Sequence, residues 1–262
     1  MIIDTHSHYD DEDFDADRDE LIRSLPSHGI EIAVDVGASM DSSEAALRLA
    51  QHYPHIYAAA GVHPAEVRNM TEEDIQALRE MTVSDRVVAV GEIGLDYHYK
   101  DEYEVPKDIQ KHWFIRQLDL ARETGLPVII HSRDAAQDTM DIMKEHYRGI
   151  SGGVVHCYSY DTDQAAEYLK MGLFFGIGGV VTYKNAKKLV RVVEMLPVEA
   201  IVLETDCPYL APVPHRGERN SSLYLPLMAG KIAEIKGMTA EEVISITREN
   251  ALRLYPKIGK KA

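Results

Sequence analysis

Val87-Val88-Ala89-Val90 is an unbroken apolar run, three of its four residues β-branched, and Glu92 follows two positions later. A strand with one wet face alternates polar and apolar residues. This one does not, so it reads as a strand covered on both faces, the pattern of a parallel sheet. Seven further runs of the same kind flank it: Met1–Ile3, Ile30–Val36, Ile56–Ala60, Pro127–Ile130, Gly153–Val155, Leu173–Ile177 and Ala200–Leu203. The stretches between them are long enough for crossover helices, which makes the chain a succession of βαβ units. Eight such units in 262 residues match a single (β/α)8 barrel of the TIM type, which needs about 250.

The intervening segments carry helix signals. Lys107 to Thr124 places Ile109, Trp113, Ile115, Leu118 and Ala121 on one stripe and stops at Gly125. Asp161 and Gln164, and again Thr239 and Glu242, have the spacing of a capping box, with a stop expected at Gly172 after the first pair. No linker or low-complexity segment divides the chain, so residues 1–262 are expected to form one domain. Lys257-Ile258-Gly259-Lys260-Lys261 reads as a frayed tail.

Composition narrows the class. The apolar share is 45%, ordinary for a globular domain, and no run approaches the roughly 20 apolar residues of a membrane span. The N-terminus enters strand-like sequence without the basic region and apolar core of a signal peptide, so the expected compartment is cytoplasmic. Cys157 and Cys207 do not suggest a disulfide framework and read as small buried side chains. A net charge of −15 argues against coating nucleic acid through a broad basic surface, but leaves room for a local cationic or metal-lined pocket. The acidic run Asp10–Asp17 reads as a solvated loop leading into a helix.

In a β/α barrel the active site lies at the C-terminal ends of the strands. His6 and His8 follow the first run, Glu92 the fourth, His131 the fifth, His156 the sixth and Asp206 the eighth. His6 and His8 are two apart, so in extended backbone they face the same way. Any one of these histidines alone carries little weight. Four imidazoles and two carboxylates on one rim are a donor set for divalent metals, and a carboxylate can bridge two of them.

Asp4-Thr5-His6-Ser7-His8, Gly91-Glu92-Ile93-Gly94-Leu95-Asp96, Ile130-His131-Ser132-Arg133 and Leu203-Glu204-Thr205-Asp206-Cys207-Pro208-Tyr209-Leu210 resemble the TatD family of metal-dependent deoxyribonucleases and hydrolases. Gly61-Val62-His63-Pro64, Val155-His156-Cys157-Tyr158 and Arg216-Gly217-Glu218-Arg219-Asn220 match it too. The resemblance implies a β/α barrel with the six ligands just named and, for several members, phosphodiesterase or exonuclease activity. By analogy with such barrels, His6, His8 and Asp206 hold one divalent metal (Mg, Mn or Zn), His131 and His156 a second, and Glu92 bridges. Asp206 is then the candidate general base, with a helix N-cap as its plainer alternative. One departure stands out: Ser221-Ser222 follow Asn220 where the family usually has Glu-Pro or a similar pair. That loop is expected to cover the site, which bears on substrate preference rather than on the metals.

Three further residues are candidates for substrate. His63 is placed to donate to a phosphate, or else to brace the turn at Pro64. Arg133 can grip a non-bridging oxygen with its planar fork, or form a surface ion pair. Arg216, with Arg219, sits on a Pro-rich loop, where ion pairs that hold the loop are equally expected. Gly176-Ile177-Gly178-Gly179 weakly resembles a phosphate-cradling turn, and Tyr183 and Lys184 beyond it are candidates to stack on a base and meet a phosphate. The expected function is a metal-dependent hydrolase, a deoxyribonuclease acting at DNA 3′ ends or on single strands, with no obligate protein partner. The alternative is an amidohydrolase-type enzyme for a small ester, amide, lactone or phosphoester.

Overall fold

The computed structural model describes residues 1–98 and 105–258. Eight strands form one sheet in chain order: β1 (Ile2–Ser7), β2 (Ile30–Val36), β3 (Ile56–Ala60), β4 (Val87–Asp96), β5 (Val128–Arg133), β6 (Gly153–Val155), β7 (Phe174–Ile177) and β8 (Ile201–Leu203). Every neighbouring pair is parallel. The last gap, from β8 back to β1, is closed by a parallel bridge between Ser7 and Cys207 and by the Thr5 hydroxyl donating to Leu203 O at 3.0 Å. The (β/α)8 barrel expected from the alternation is the fold observed.

Around it lie α1 (Arg18–Ser24), α2 (Met40–His52), α3 (Glu72–Met81), α4 (Lys107–Thr124), α5 (Ala136–His146), α6 (Thr162–Lys170), α7 (Lys187–Met195), α8 (Leu225–Lys236) and α9 (Ala240–Leu254). Their ends obey local chemistry. The Asp161 side chain accepts from Gln164 N, Thr239 and Glu242 cap each other reciprocally, and Gly125 ends α4 with φ 69°, a conformation glycine adopts without steric cost. Among the described residues no helix is long and apolar enough to cross a membrane.

The barrel interior is a layer of Ile3, Val34, Ala59, Val88, Ile129 and Val202, plugged from below by Leu254 and Tyr255 at the end of α9. A wider apolar shell joins the outer strand faces to the helices. The expected frayed tail is not frayed where it is described. Ile258 is buried in the plug, and Lys257 Nζ donates to Thr82 O at 3.1 Å and Ser84 O at 3.0 Å. Gly259-Lys260-Lys261 lie outside the described residues. The acidic run is pinned rather than simply solvated. Phe14 is buried, Arg18 reaches back to the carbonyls of Tyr9, Asp10 and Asp11, and Arg219 grips Asp17 with both terminal nitrogens at 2.7 and 2.6 Å.

The strand ends run further than their apolar cores. β1 takes in His6, β4 takes in Glu92 and β5 takes in His131, all of which the sequence places after the strands. Pairing explains the extension. Ile93, Gly94, Leu95 and Asp96 pair in register with Ile130, His131, Ser132 and Arg133, so polar residues are held in strand geometry by their neighbours.

Candidate metal centre

His6, His8, Glu92, His131, His156 and Asp206 meet at the C-terminal mouth of the barrel. His6 in β1 and His8 just beyond it face the same way, as their spacing requires, with Nε2 atoms 3.1 Å apart. Asp206 Oδ1 lies 3.3 Å from His8 Nε2 and 3.6 Å from His6 Nε2. Glu92 divides its carboxylate between two groups. Oε2 is 3.5 Å from His6 Nε2, while Oε1 is 2.6 Å from His131 Nδ1 and 3.5 Å from His156 Nε2. His156 stacks on His6 with ring centroids 3.6 Å apart and sits 6.2 Å from His131, so it leans toward the His6 side of the cluster.

Three triads each bring their ligand atoms within 4.8 Å of one another: His6 with His156 and Asp206, His6 with His8 and Glu92, and His63 with Glu92 and His131. Converging imidazoles and carboxylates at this depth fit a divalent cation. Without a positive charge, two carboxylates in a poorly hydrated mouth repel, and imidazoles must take up protons to compensate. The site shows that strain in its titration. Burial opposes charge on His156, yet Glu204, Glu92 and Asp206 outweigh it and push the imidazole up to about 10. Burial likewise opposes a charge on His8, and Asp206 lifts it to about 9. Glu92 and Asp206, although burial favours their neutral forms, are held below the usual carboxylate range chiefly by His156 and its fellow imidazoles.

Local backbone aims these groups. Asp206 has φ 58°, in the left-handed region that Asp tolerates better than most residues, and its N–H donates to His6 O at 2.9 Å. That turn is anchored by Asp4. One Asp4 oxygen accepts from Thr205 N at 3.0 Å, and the other accepts from the Thr205 hydroxyl at 2.7 Å and the Ser222 hydroxyl at 2.6 Å. Burial pushes Asp4 up to about 7 against those hydrogen bonds. Ser222 also receives the Tyr9 hydroxyl at 2.7 Å. The serine pair expected to lie over the mouth is buried beneath it, bracing the ends of β1 and β8.

A second ring of carboxylates orients the imidazoles. Asp96 Oδ2 lies 3.1 Å from His131 Nε2, leaving Nδ1 to face Glu92. Glu204 Oε1 accepts from Cys157 N at 2.6 Å and stands 3.2 Å from His156 Nδ1. Room for Glu204 depends on Gly176, where a Cβ would come within 1.9 Å of Oε2. Gly176, within β7, thus makes room for a buried carboxylate. Neither Asp96 nor Glu204 stands out in the sequence. Both lie inside motifs quoted above, but nothing in the spacing says that they stand behind the histidines.

The substrate candidates are placed differently from one another. His63 borders the cluster, its ring centroid 4.2 Å from that of His131. Burial and then His131 pull it down to about 3, so it is neutral. Its Nδ1 accepts from Ala65 N at 3.1 Å, which puts the proton on Nε2 and makes that nitrogen a donor. Arg133 is exposed at the end of β5. Arg216 sets its guanidinium 4.6 Å over the Tyr183 ring. Burial pushes the Cys157 and Cys207 thiols well up, which makes them neutral fillers. Beside Cys157 a pocket of about 160 Å³ opens, lined mostly by apolar groups of Tyr158, Gly178, Ala186 and Leu189.

A family model described as TatD related DNase matches residues 3–256. The uncharacterized metal-dependent hydrolase YabD of Bacillus subtilis is 44% identical over 255 residues, covering 97% of this chain and 99% of its own. The 3′-5′ ssDNA/RNA exonuclease TatD of Cronobacter sakazakii is 33% identical over 250 residues, covering 93% and 94%. Among solved structures, the TatD homologue YJJV of Escherichia coli K12 superposes with a TM-score of 0.90 at 29% identity, covering 97% of this chain and 98% of that one.

Proposed function

The chain belongs to the TatD-related DNase family and is a metal-dependent hydrolase, and from that premise we propose that it hydrolyses phosphodiester bonds at the 3′ ends of single-stranded DNA. The observation that carries the reading is the split carboxylate of Glu92, one oxygen turned to His6 and the other to His131 and His156. A carboxylate so divided could serve two divalent cations at once. His6, His8 and Asp206 would hold one cation, and His131 and His156 the other. Held there, divalent cations would supply Lewis acidity, making a bound water more acidic and offsetting charge on the phosphoryl oxygens.

The chain's own groups do the rest. Asp206, ionised and partly open to the mouth, accepts the proton of the attacking water. The neutral His63, its Nδ1 taken up by Ala65 N, donates Nε2–H to a non-bridging oxygen of the substrate. Arg133, at the rim, receives the strand as it enters. The name of the Cronobacter relative supports a single-stranded substrate read from its 3′ end.

The test is digestion of labelled single strands with the label at the 3′ or the 5′ terminus, beside a panel of small esters, amides, lactones and phosphoesters. Loss of nucleotides from the 3′ end, abolished by chelator and restored by Mg²⁺, Mn²⁺ or Zn²⁺, is expected. Turnover of a small ester or amide with intact DNA would replace this reading with the amidohydrolase-type one.

A further inference from the structure

Between α7 and α8 a groove of about 460 Å³ runs along the outside of the barrel from Tyr183 and Lys184, just past the end of β7, to Glu194 near the end of α7. Its charge sets it apart. Lys184, Lys187, Arg191 and Lys231 line it, and Glu194 is the one acidic residue among its lining groups. The sequence concentrates cations there. From Met171 to Val193 the chain has four basic residues (Lys184, Lys187, Lys188 and Arg191) and no acidic one, in a protein of net charge −15.

The groove touches the loop that follows Asp206. Tyr183, at its upper end, donates its hydroxyl to Ala211 O at 2.9 Å, on the loop that begins at Asp206, and carries the Arg216 guanidinium over its ring. On the other flank of the α7 N-terminus lies the pocket beside Cys157, which adjoins His156 in sequence. At about 160 Å³ it is comparable to a cavity of about 150 Å³ that accepts one benzene ring. A mostly apolar pocket with room for one ring, beside a cationic track, is the make-up of sites for single-stranded nucleic acid, where bases are splayed out and the backbone is followed by positive charge.

We infer that the α7–α8 groove carries the sugar-phosphate backbone of a single DNA strand whose 3′ end lies at the metal centre. The inference rests on the function proposed above, and it adds where the uncleaved part of the substrate goes. It also reconciles a strongly acidic chain with a polyanionic substrate. Most of the surface repels DNA, one flank attracts it, and the strand is led to the mouth along that flank.

The probe is an oligothymidylate of about 20 nucleotides with phosphorothioate linkages and a 5′ fluorophore, titrated by anisotropy with the full chain and Mg²⁺ between about 50 and 200 mM salt. Two triple variants with equal reduction in charge are compared: Lys187→Gln, Arg191→Gln and Lys231→Gln in the groove, and Arg23→Gln, Arg48→Gln and Lys170→Gln on other faces. Each phosphate that a cation no longer neutralises removes about 0.7 from the log–log salt slope of a single strand. The slope should therefore become shallower by about 2 in the groove variant, and Kd at low salt should rise at least about tenfold. The control variant should keep the wild-type slope.

An unchanged slope in the groove variant, an equal change in the control, or no binding by the unaltered chain each overturns the inference. If the groove variant melts below the control, the single Arg191→Gln must still remove about 0.7 from the slope, and failure to do so overturns it as well. Cleavage of an ordinary phosphodiester strand is scored separately. Groove-dependent binding without cleavage retains the groove and removes the nuclease reading, whereas cleavage without groove dependence does the reverse.

Discussion

Replacing Glu204 probes the site where it is least accessible to solvent. The carboxylate is buried, accepts from Cys157 N at 2.6 Å and stands 3.2 Å from His156 Nδ1, while Oε2 has no partner. With a cation in place of the Nε2 proton, its negative charge would hold a proton on Nδ1 and leave Nε2, 3.5 and 3.9 Å from Glu92 and Asp206, free to bind that cation. Glu204→Gln can keep both Oε1 interactions, turning its amide nitrogen to the unpartnered side, and loses only the charge. Glu204→Ala also leaves Cys157 N without an acceptor. Partners behind a metal-binding histidine are worth about 10–100-fold in affinity. The low end suits Gln and the high end Ala, or about 1.4 and 2.7 kcal/mol. The assay is competition for Zn²⁺ or Mn²⁺ against a chelating dye, with melting curves at fixed free metal. Stabilisation by metal follows mass action, so a tenfold weaker site should lower the melting temperature of the loaded protein by about 3–6 °C. Unchanged metal affinity in Glu204→Ala would refute the claim that this carboxylate orients His156.

Other expectations follow from the same geometry. Asp206→Asn keeps an oxygen at the site but cannot take a proton, so kcat should drop about 10²–10⁴-fold with substrate binding retained; loss of binding as well would make Asp206 a holding group and place the base elsewhere. Glu92→Gln weakens the shared carboxylate, and elemental analysis should find less bound metal with turnover down by orders of magnitude; full metal content and an unchanged rate would remove Glu92 from the centre. Ser222→Ala strips a donor from buried Asp4 and an acceptor from the Tyr9 hydroxyl, and should cost about 1–3 kcal/mol in urea unfolding; a stability within experimental error would mean that the β1–β8 brace is redundant. Burial and the neighbouring Asp10 push Asp35 well up, so the folded state binds its proton more tightly than the unfolded one, and this contribution is lost as pH rises through the folded-state value. Asp35→Asn is exempt from that loss, so its stability relative to the parent should increase from pH 5 to pH 9; a constant difference would show that Asp35 does not titrate within the fold.

The sequence alone determined the barrel and pointed to a candidate donor set. Unbroken apolar runs such as Val87–Val90 have no wet face, and only a sheet covered on both sides accepts eight of them in succession. Metal-binding side chains carry their chemistry in their identity, so His6, His8, Glu92, His131, His156 and Asp206 could be read as a group once the strand ends were located. Tertiary structure decided how that group is arranged and held. Which Glu92 oxygen faces which imidazole depends on the register of β4 against β5. The supporting carboxylates Asp4, Asp96 and Glu204 look like any other acids in the sequence, because being buried behind a histidine is a property of the packed barrel. Ser222 read as part of a loop over the mouth and lies under it, since its hydroxyl replaces water for Asp4 and Tyr9 in a place that only closure of β8 on β1 creates. The basic groove likewise joins Lys187 and Arg191 to Lys231, residues brought together by the packing of α7 against α8 and by nothing in their spacing along the chain.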